Sequence, residues 1–236
     1  MNMEANTGKD VRSAIAQALD FRELYRYLGY RGTQPDEAVR CLAAEVAEEL
    51  TAAIEPRYLY KVFDCRIEND RITLYNEGTR ETALAVRSQG LAGNLERCEK
   101  AALIAATLGL EADKLLGRYE VLNMAKASVA QACGAACIEA YCNLLQEDIG
   151  RRAARQGFWL RPRFSPGYGD LDLETQRDIF RVLECTKRIG LTLTESLLMY
   201  PTKSVTAFIG WTTDAQGCPI GRCGACGNMG CEFRDE

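Results

Sequence analysis

The chain has 236 residues, 47% of them hydrophobic, and a net charge of −4. That length allows one large or two small domains burying about 70–75% of the unfolded surface, and the mild acidity argues against broad binding to nucleic acid or an anionic membrane. Histidine is absent while cysteine occurs 11 times, which removes the commonest general base and metal ligand together with Ser-His and Cys-His nucleophiles.

Any chemistry is therefore expected to belong to a cofactor, and any metal site to cysteine or carboxylate. The opening Met1-Asn2-Met3-Glu4-Ala5-Asn6 lacks a basic stretch followed by an apolar run, so no signal peptide is expected. The longest apolar run, Ala101–Leu110, is too short to span a bilayer. A cytoplasmic location is expected, with cysteines present as thiols or metal ligands rather than disulfides.

In chain order, residues 10–29 predict one helix, with Val11, Ile15, Ala18, Leu19 and Leu24 at helical spacing and Gly29 and Gly32 ending it. Pro35-Asp36 opens a second helix to about Ile54, with Val39, Leu42, Val46 and Leu50 on one stripe. Tyr58–Ile67 and Arg71–Tyr75 flank a polar turn and predict a hairpin, in which Tyr58 and Tyr60 pack on the sheet rather than face a ligand. A loop or short helix is expected to about Asn94. Ala101–Thr107 predicts a buried strand. Gly109 and the helix beginning near Glu111 do not form a G-x-G-x-x-G phosphate turn, which weighs against a doubly wound methyltransferase.

Met124–Ile149 predicts the longest helix, a central buried one dense in small residues from Ala130 to Cys137. Cys133, Cys137 and Cys142 are expected as small core residues, and Glu139 falls on the edge of the apolar face. A helix over 174–188, a segment ending at Met199 and a strand at Val205–Gly210 complete the body. Lys203 and Ser204 fall in the loop before that strand, which is read as solvated.

Two stretches carry candidate chemistry. Arg163-Phe164-Ser165-Pro166-Gly167-Tyr168 predicts an ordered turn, because Pro166 fixes its own φ and extends Ser165, while Gly167 permits close approach. A guanidinium and a phenol flank it. Such a turn can hold a zwitterionic, ring-bearing molecule, with Arg163 on a carboxylate, Tyr168 on an apolar or cationic part, and backbone groups on polar edges. A plain surface β-turn with a solvated Arg163 is the alternative. The second stretch is the tail after Trp211, where Cys218, Cys223, Cys226 and Cys231 are spaced C-x4-C-x2-C-x4-C among glycines. It has too little apolar content to fold by burial, and four thiolates suit one tetrahedral metal site. Zinc and an iron–sulfur cluster both remain open, as do a redox dithiol and four unliganded thiols.

The segment Arg163–Tyr168 resembles the R-P-A-P-G-Y segment of the activation domain of cobalamin-dependent (vitamin B12) methionine synthase, which binds S-adenosylmethionine. Ile138-Glu139-Ala140-Tyr141 resembles that family's A-E-A-F, Gly190-Leu191-Thr192-Leu193-Thr194-Glu195-Ser196 its G-M-K-L-T-E-S, and Pro201-Thr202-Lys203-Ser204-Val205-Thr206 its P-G-A-S-V-S. The resemblance covers residues 97–210. With the opening Arg26-Tyr27-Leu28-Gly29-Tyr30-Arg31-Gly32 and the cysteine-rich tail, the whole chain is similar to small stand-alone activation-domain-like proteins. Phe164 and Ser165 depart from the family's Pro and Ala, and Gly169-Asp170-Leu171-Asp172 stands where the family has P-A-C-P-x-H, so contacts from that segment do not transfer.

The resemblance implies an α+β fold, a mixed domain with an antiparallel sheet and helices, plus a small C-terminal Cys-rich metal-binding tail. It divides the chain into a helical and hairpin part at 1–96, a core of the same domain at 97–212 and the tail at 213–236. It implies S-adenosylmethionine binding by Arg163, Ser165, Gly167, Tyr168 and Glu139, the last toward the ligand's ammonium or ribose, and places Lys203 and Ser204 near the ligand end. The implied role is methyl donation from S-adenosylmethionine in the reductive reactivation of cob(II)alamin on a methionine synthase core in a separate chain. A flavodoxin- or ferredoxin-like donor would supply the electron. Rival readings are an activator of another corrinoid protein, a non-catalytic metal-binding interaction module, and a self-sufficient small-molecule methyltransferase.

Overall fold

The structure is a computed structural model that describes residues 9–214. Its elements in order are α1 (Lys9–Ala18), α2 (Phe21–Tyr27), α3 (Glu37–Ala53), β1 (Arg57–Glu68), β2 (Arg71–Asn76), β3 (Thr82–Arg87), α4 (Gln89–Asn94), β4 (Lys100–Thr107), α5 (Leu110–Leu122), α6 (Met124–Ala154), β5 (Trp159–Leu160), α7 (Thr175–Leu183), α8 (Cys185–Ile189), β6 (Thr192–Leu193), β7 (Met199–Tyr200) and β8 (Ser204–Thr212). Six strands form one sheet in the order β3-β2-β1-β4-β8-β5, and every neighbouring pair is antiparallel. A mixed α+β domain with an antiparallel sheet is thus what the sequence led us to expect.

The alternation of side chains along each strand divides the core in two. Tyr58, Tyr60, Ala102, Ile104, Ala106, Ala207 and Ile209 face the layer of α1, α2, α3, α5 and α6. Leu59, Phe63, Ala101, Leu103, Ala105 and Phe208 face the layer of α4, α7 and α8. Because β4 is central and covered on both faces, its residues from Ala101 to Thr107 are all buried, which is why the sequence shows an unbroken apolar run there. Tyr58 and Tyr60 stack in the core, 6.3 Å apart, as sheet packing requires. Small residues on α6 let this 31-residue helix lie among its neighbours, with Cys133, Cys137 and Cys142 fully buried. No helix among the described residues is long and apolar enough to cross a membrane.

Three local expectations need correction. Residues 10–29 form two helices, because Asp20 leaves the helical pattern to cap α2 and accepts from the Arg22 N–H at 2.8 Å. The 174–188 helix is likewise broken, at Glu184, whose φ of +53° ends α7 before α8 begins. Between the hairpin and Asn94 the chain adds a third antiparallel strand, β3, before the short α4. The alternating Thr82-Ala83-Leu84-Ala85-Val86 carries that pattern, with Leu84 buried.

Candidate functional site

After α6 the chain returns along the edge of β8 that faces away from β4, first as β5 and then by single backbone contacts. The Arg161 N–H donates to the Gly210 carbonyl at 2.8 Å, and Phe164 and Phe208 exchange backbone bonds at 3.0 and 2.8 Å. An extended backbone points successive side chains to opposite faces, so Arg163 is delivered to α6 while Phe164 packs into the second core. The Arg163 guanidinium donates to Gln146 Oε1 at 2.8 Å, Glu139 Oε2 at 2.9 Å and Asn143 Oδ1 at 2.9 Å. These acceptors repeat at helical spacing along one stripe of α6. The Arg163 side chain is 17% exposed and that of Glu139 is 45% exposed. A solvated Arg163 is therefore not what the fold builds; the guanidinium is docked.

Tyr27, at the end of α2, belongs to the same neighbourhood. Burial chiefly, and then the negative charge of Glu139, push its phenol pKa upward. The Arg26 guanidinium lies 5.6 Å over the Tyr27 ring. Nothing in the sequence places Tyr27 beside Glu139; α2 brings it there only in the folded chain.

Beyond Phe164 the chain makes a tight turn. The Tyr168 N–H donates to the Ser165 carbonyl at 3.1 Å, and Gly167 at the third position has the φ of +84° that a type II turn requires. A second loop closes on it, with Gly167 N–H to Leu171 O at 2.8 Å and Leu171 N–H to Tyr168 O at 3.0 Å. The N–H groups of Gly167 and Tyr168 are thus already engaged. Tyr168 stands 58% exposed, edge-on to Phe164 with ring centroids 6.0 Å apart.

The next residue but one, Asp170, reaches the start of α4. Its carboxylate accepts from Ser88 Oγ at 2.5 Å, Gln89 N at 2.6 Å and Gly90 N at 3.0 Å. The Ser88 hydroxyl first, and then the two backbone N–H groups, hold its pKa below the usual carboxylate range.

Lys203 is not on a solvated loop. Its stem crosses α6 at Gly134, where an added Cβ would fall 2.8 Å from Lys203 Cε. Its ammonium donates to the Gln131 carbonyl at 3.2 Å, and burial pushes its pKa down. Ser204 is buried and donates to the Pro201 carbonyl at 2.7 Å.

Arg163, Ser165, Gly167 and Tyr168 therefore form a ledge at the sheet edge, and Glu139 joins it through the Arg163 ion pair. None of them lines either of two concavities, of about 460 and 480 Å³, found elsewhere on the surface. Among the described residues no group of three or more Cys, Asp or Glu is placed to hold a metal ion. Cys218, Cys223, Cys226 and Cys231 lie outside the described residues.

No curated protein sequence matches the chain. Among solved structures it resembles the crystal structure of the MetH reactivation domain bound to AdoHcy, with a TM-score of 0.69 and 19% identity. The alignment covers 94% of this chain and 82% of that one. At that identity the likeness establishes the fold. The family model for the vitamin B12-dependent methionine synthase activation domain matches residues 35–226, and with most of the chain inside that match, this protein belongs to the vitamin B12-dependent methionine synthase activation domain family.

Proposed function

We propose that this protein binds S-adenosylmethionine on the 163–168 ledge and supports reductive reactivation of cob(II)alamin on a cobalamin-dependent methionine synthase carried by a separate chain. The observation that carries the reading is the Arg163–Glu139 pair at 2.9 Å beside an exposed tyrosine and a glycine turn. A methionine head group is a zwitterion, and the pair offers one partner of each sign. The ligand's α-carboxylate takes the guanidinium and its ammonium takes Glu139, so one protein ion pair exchanges for two ligand contacts. Ser165 and Gly167 shape the turn, and Tyr168 offers its ring to the adenine or the sulfonium. With the Gly167 and Tyr168 N–H groups engaged, the turn reads donor edges of the ligand through its carbonyl oxygens.

The corrinoid, held by the partner, and the sulfonium supply the chemistry: one electron from a flavodoxin- or ferredoxin-like donor and the methyl group of S-adenosylmethionine restore methylcobalamin and release S-adenosylhomocysteine. What this chain supplies is the placement of the donor methyl. In this reading the 97–212 core carries the ligand site, with 1–96 part of the same domain, and the protein works in the cytoplasm. Cys218, Cys223, Cys226 and Cys231 hold one zinc ion or an iron–sulfur cluster that folds the tail. Elemental analysis of anaerobically purified protein tests this, and metal-free protein with all four thiols freely alkylated rejects it.

The deciding experiment for the function has two arms. Calorimetry with S-adenosylmethionine should show binding, with Tyr168→Ala weaker than wild type but less impaired than Arg163→Ala. A turnover assay should then show that oxidised methionine synthase core recovers activity with S-adenosylmethionine, a low-potential reductant and this protein. Equal recovery without the protein rejects the reactivation role.

A further inference from the structure

We propose that Asp170 is a positioning residue for the ligand site, a clamp that ties the outer end of the 165–171 loop to the first turn of α4 and so fixes the Tyr168 ring. The proposal rests on the ligand reading above, but its structural half stands separately. The loop leaves the sheet at the Phe164–Phe208 bridge, so its inner end is held by backbone pairing. Its outer end has no strand to join. Gly167 and Gly169, both with positive φ, turn the chain back, and Asp170 then meets α4.

The bonds there are directional. Ser88 has one hydroxyl proton and gives it to Asp170 at 2.5 Å. Its lone pairs are left to accept from the Leu91 N–H at 2.9 Å, the capping bond of α4. Asp170 Oδ2 takes the Gln89 N–H, and Oδ1 shares the Ser88 and Gly90 donors. Both carboxylate oxygens are therefore used, and the N–H groups of Gln89 and Gly90, which as the first of the helix have no intrahelical partner, are satisfied. Packing closes the same joint. A Cβ at Gly90 would fall 3.0 Å from Asp170 Oδ1 and 3.1 Å from Phe164 Cζ, and Phe164 is the ring against which Tyr168 stands. Asp170, Gly90, Phe164 and Tyr168 thus form one chain of contacts from α4 to the exposed ring. Asp170 touches no ligand in this scheme; it acts through the loop.

The test compares Asp170→Ala, Asp170→Asn and Gly90→Ala in the full chain. Amide exchange by NMR, without ligand, should show the Gly167 and Leu171 N–H groups losing about tenfold or more of their protection in Asp170→Ala, while α6 amides are unchanged. Asp170→Asn keeps an acceptor for Ser88 and Gly90 but turns a donor toward Gln89, so it should recover part of the loss. Gly90→Ala, which leaves Asp170 in place and crowds the joint, should loosen the same two amides. In calorimetry, S-adenosylmethionine affinity should fall by about five- to tenfold in Asp170→Ala, the scale of one charge-assisted contact, and recover partly in Asp170→Asn. Unchanged exchange at Gly167 and Leu171 overturns the clamp whether or not ligand binds. A loosened loop with wild-type affinity overturns its role in positioning. Wild-type protein that binds no S-adenosylmethionine, with the loop loosened in Asp170→Ala, upholds the clamp and rejects the ligand reading instead.

Discussion

Replacing Arg163 with Ala probes the joint between the sheet edge and α6, and its cost can be worked from the surroundings. Three acceptors lose their donor. Glu139 is nearly half exposed and Asn143 is exposed, so both rehydrate, and the ion pair alone contributes about 1 kcal/mol or less. Gln146 is different. It is 9% exposed, and its Oε1 would be left buried without a donor, a cost of about 1–3 kcal/mol. The expected total is about 1–4 kcal/mol, or a drop in Tm of about 2–16 °C for a chain of this size. Thermal melts followed by circular dichroism measure it. Because the orphaned acceptor dominates, Arg163→Ala combined with Gln146→Leu should be more stable than Arg163→Ala alone. A single variant melting within about 1 °C of wild type, or a double variant less stable than the single, would show that the buried Gln146 oxygen does not depend on Arg163. If the ledge is the ligand site, the same substitution removes the partner of the methionine carboxylate and should cost about 2–5 kcal/mol of affinity.

Gly109→Ala should destabilise the protein by about 2 kcal/mol or more, since φ there is +85° and the new Cβ would sit 2.7 Å from the Glu55 carbonyl oxygen; a urea midpoint equal to wild type would contradict this. Alkylation at pH 8 should label the exposed Cys41 and spare Cys133, Cys137, Cys142 and Cys185, which are buried. Burial pushes the Cys142 and Cys185 thiols up to about 12, so little thiolate exists to react until the chain unfolds. Peptide mapping that finds Cys142 modified as fast as Cys41 would show the α6 packing to be wrong.

The parts of the fold that local chemistry dictates were legible. Asp36 caps α3 by accepting from the Val39 N–H at 2.9 Å, Ala101–Thr107 reads as apolar because helices cover both of its faces, and the glycine and proline of the turn set its shape. The misses arise where a neighbour decides. Asp20, with Glu23 three residues on, matches a helix-start signature, but it stands in an amphipathic run whose apolar spacing continues past it and masks the break. Glu184 adopts a left-handed conformation usually left to glycine. Lys203 precedes a strand and reads as solvated, yet the absence of a Cβ at Gly134, far away in sequence, makes room for its stem on α6.

The same distinction holds within the site. The turn could be read from six consecutive residues, but the state of its arginine could not, because Glu139 and Gln146 reach it only after α6 has ended and the chain has returned along β8. That geometry bears on function. With no histidine in the chain, the side chain whose ordinary pKa lies nearest neutrality is absent, and an arginine held between a carboxylate and two amides is suited to hold charge in place rather than to transfer a proton. The satisfied guanidinium has a further consequence. A ligand carrying only a carboxylate would leave Glu139 to rehydrate, a loss of about 1 kcal/mol or less, whereas one carrying a carboxylate and an ammonium a few bonds apart can take both partners at once. Under the proposed function, the docked pair would favour an amino-acid head group modestly, before any contact to the rest of the ligand is made.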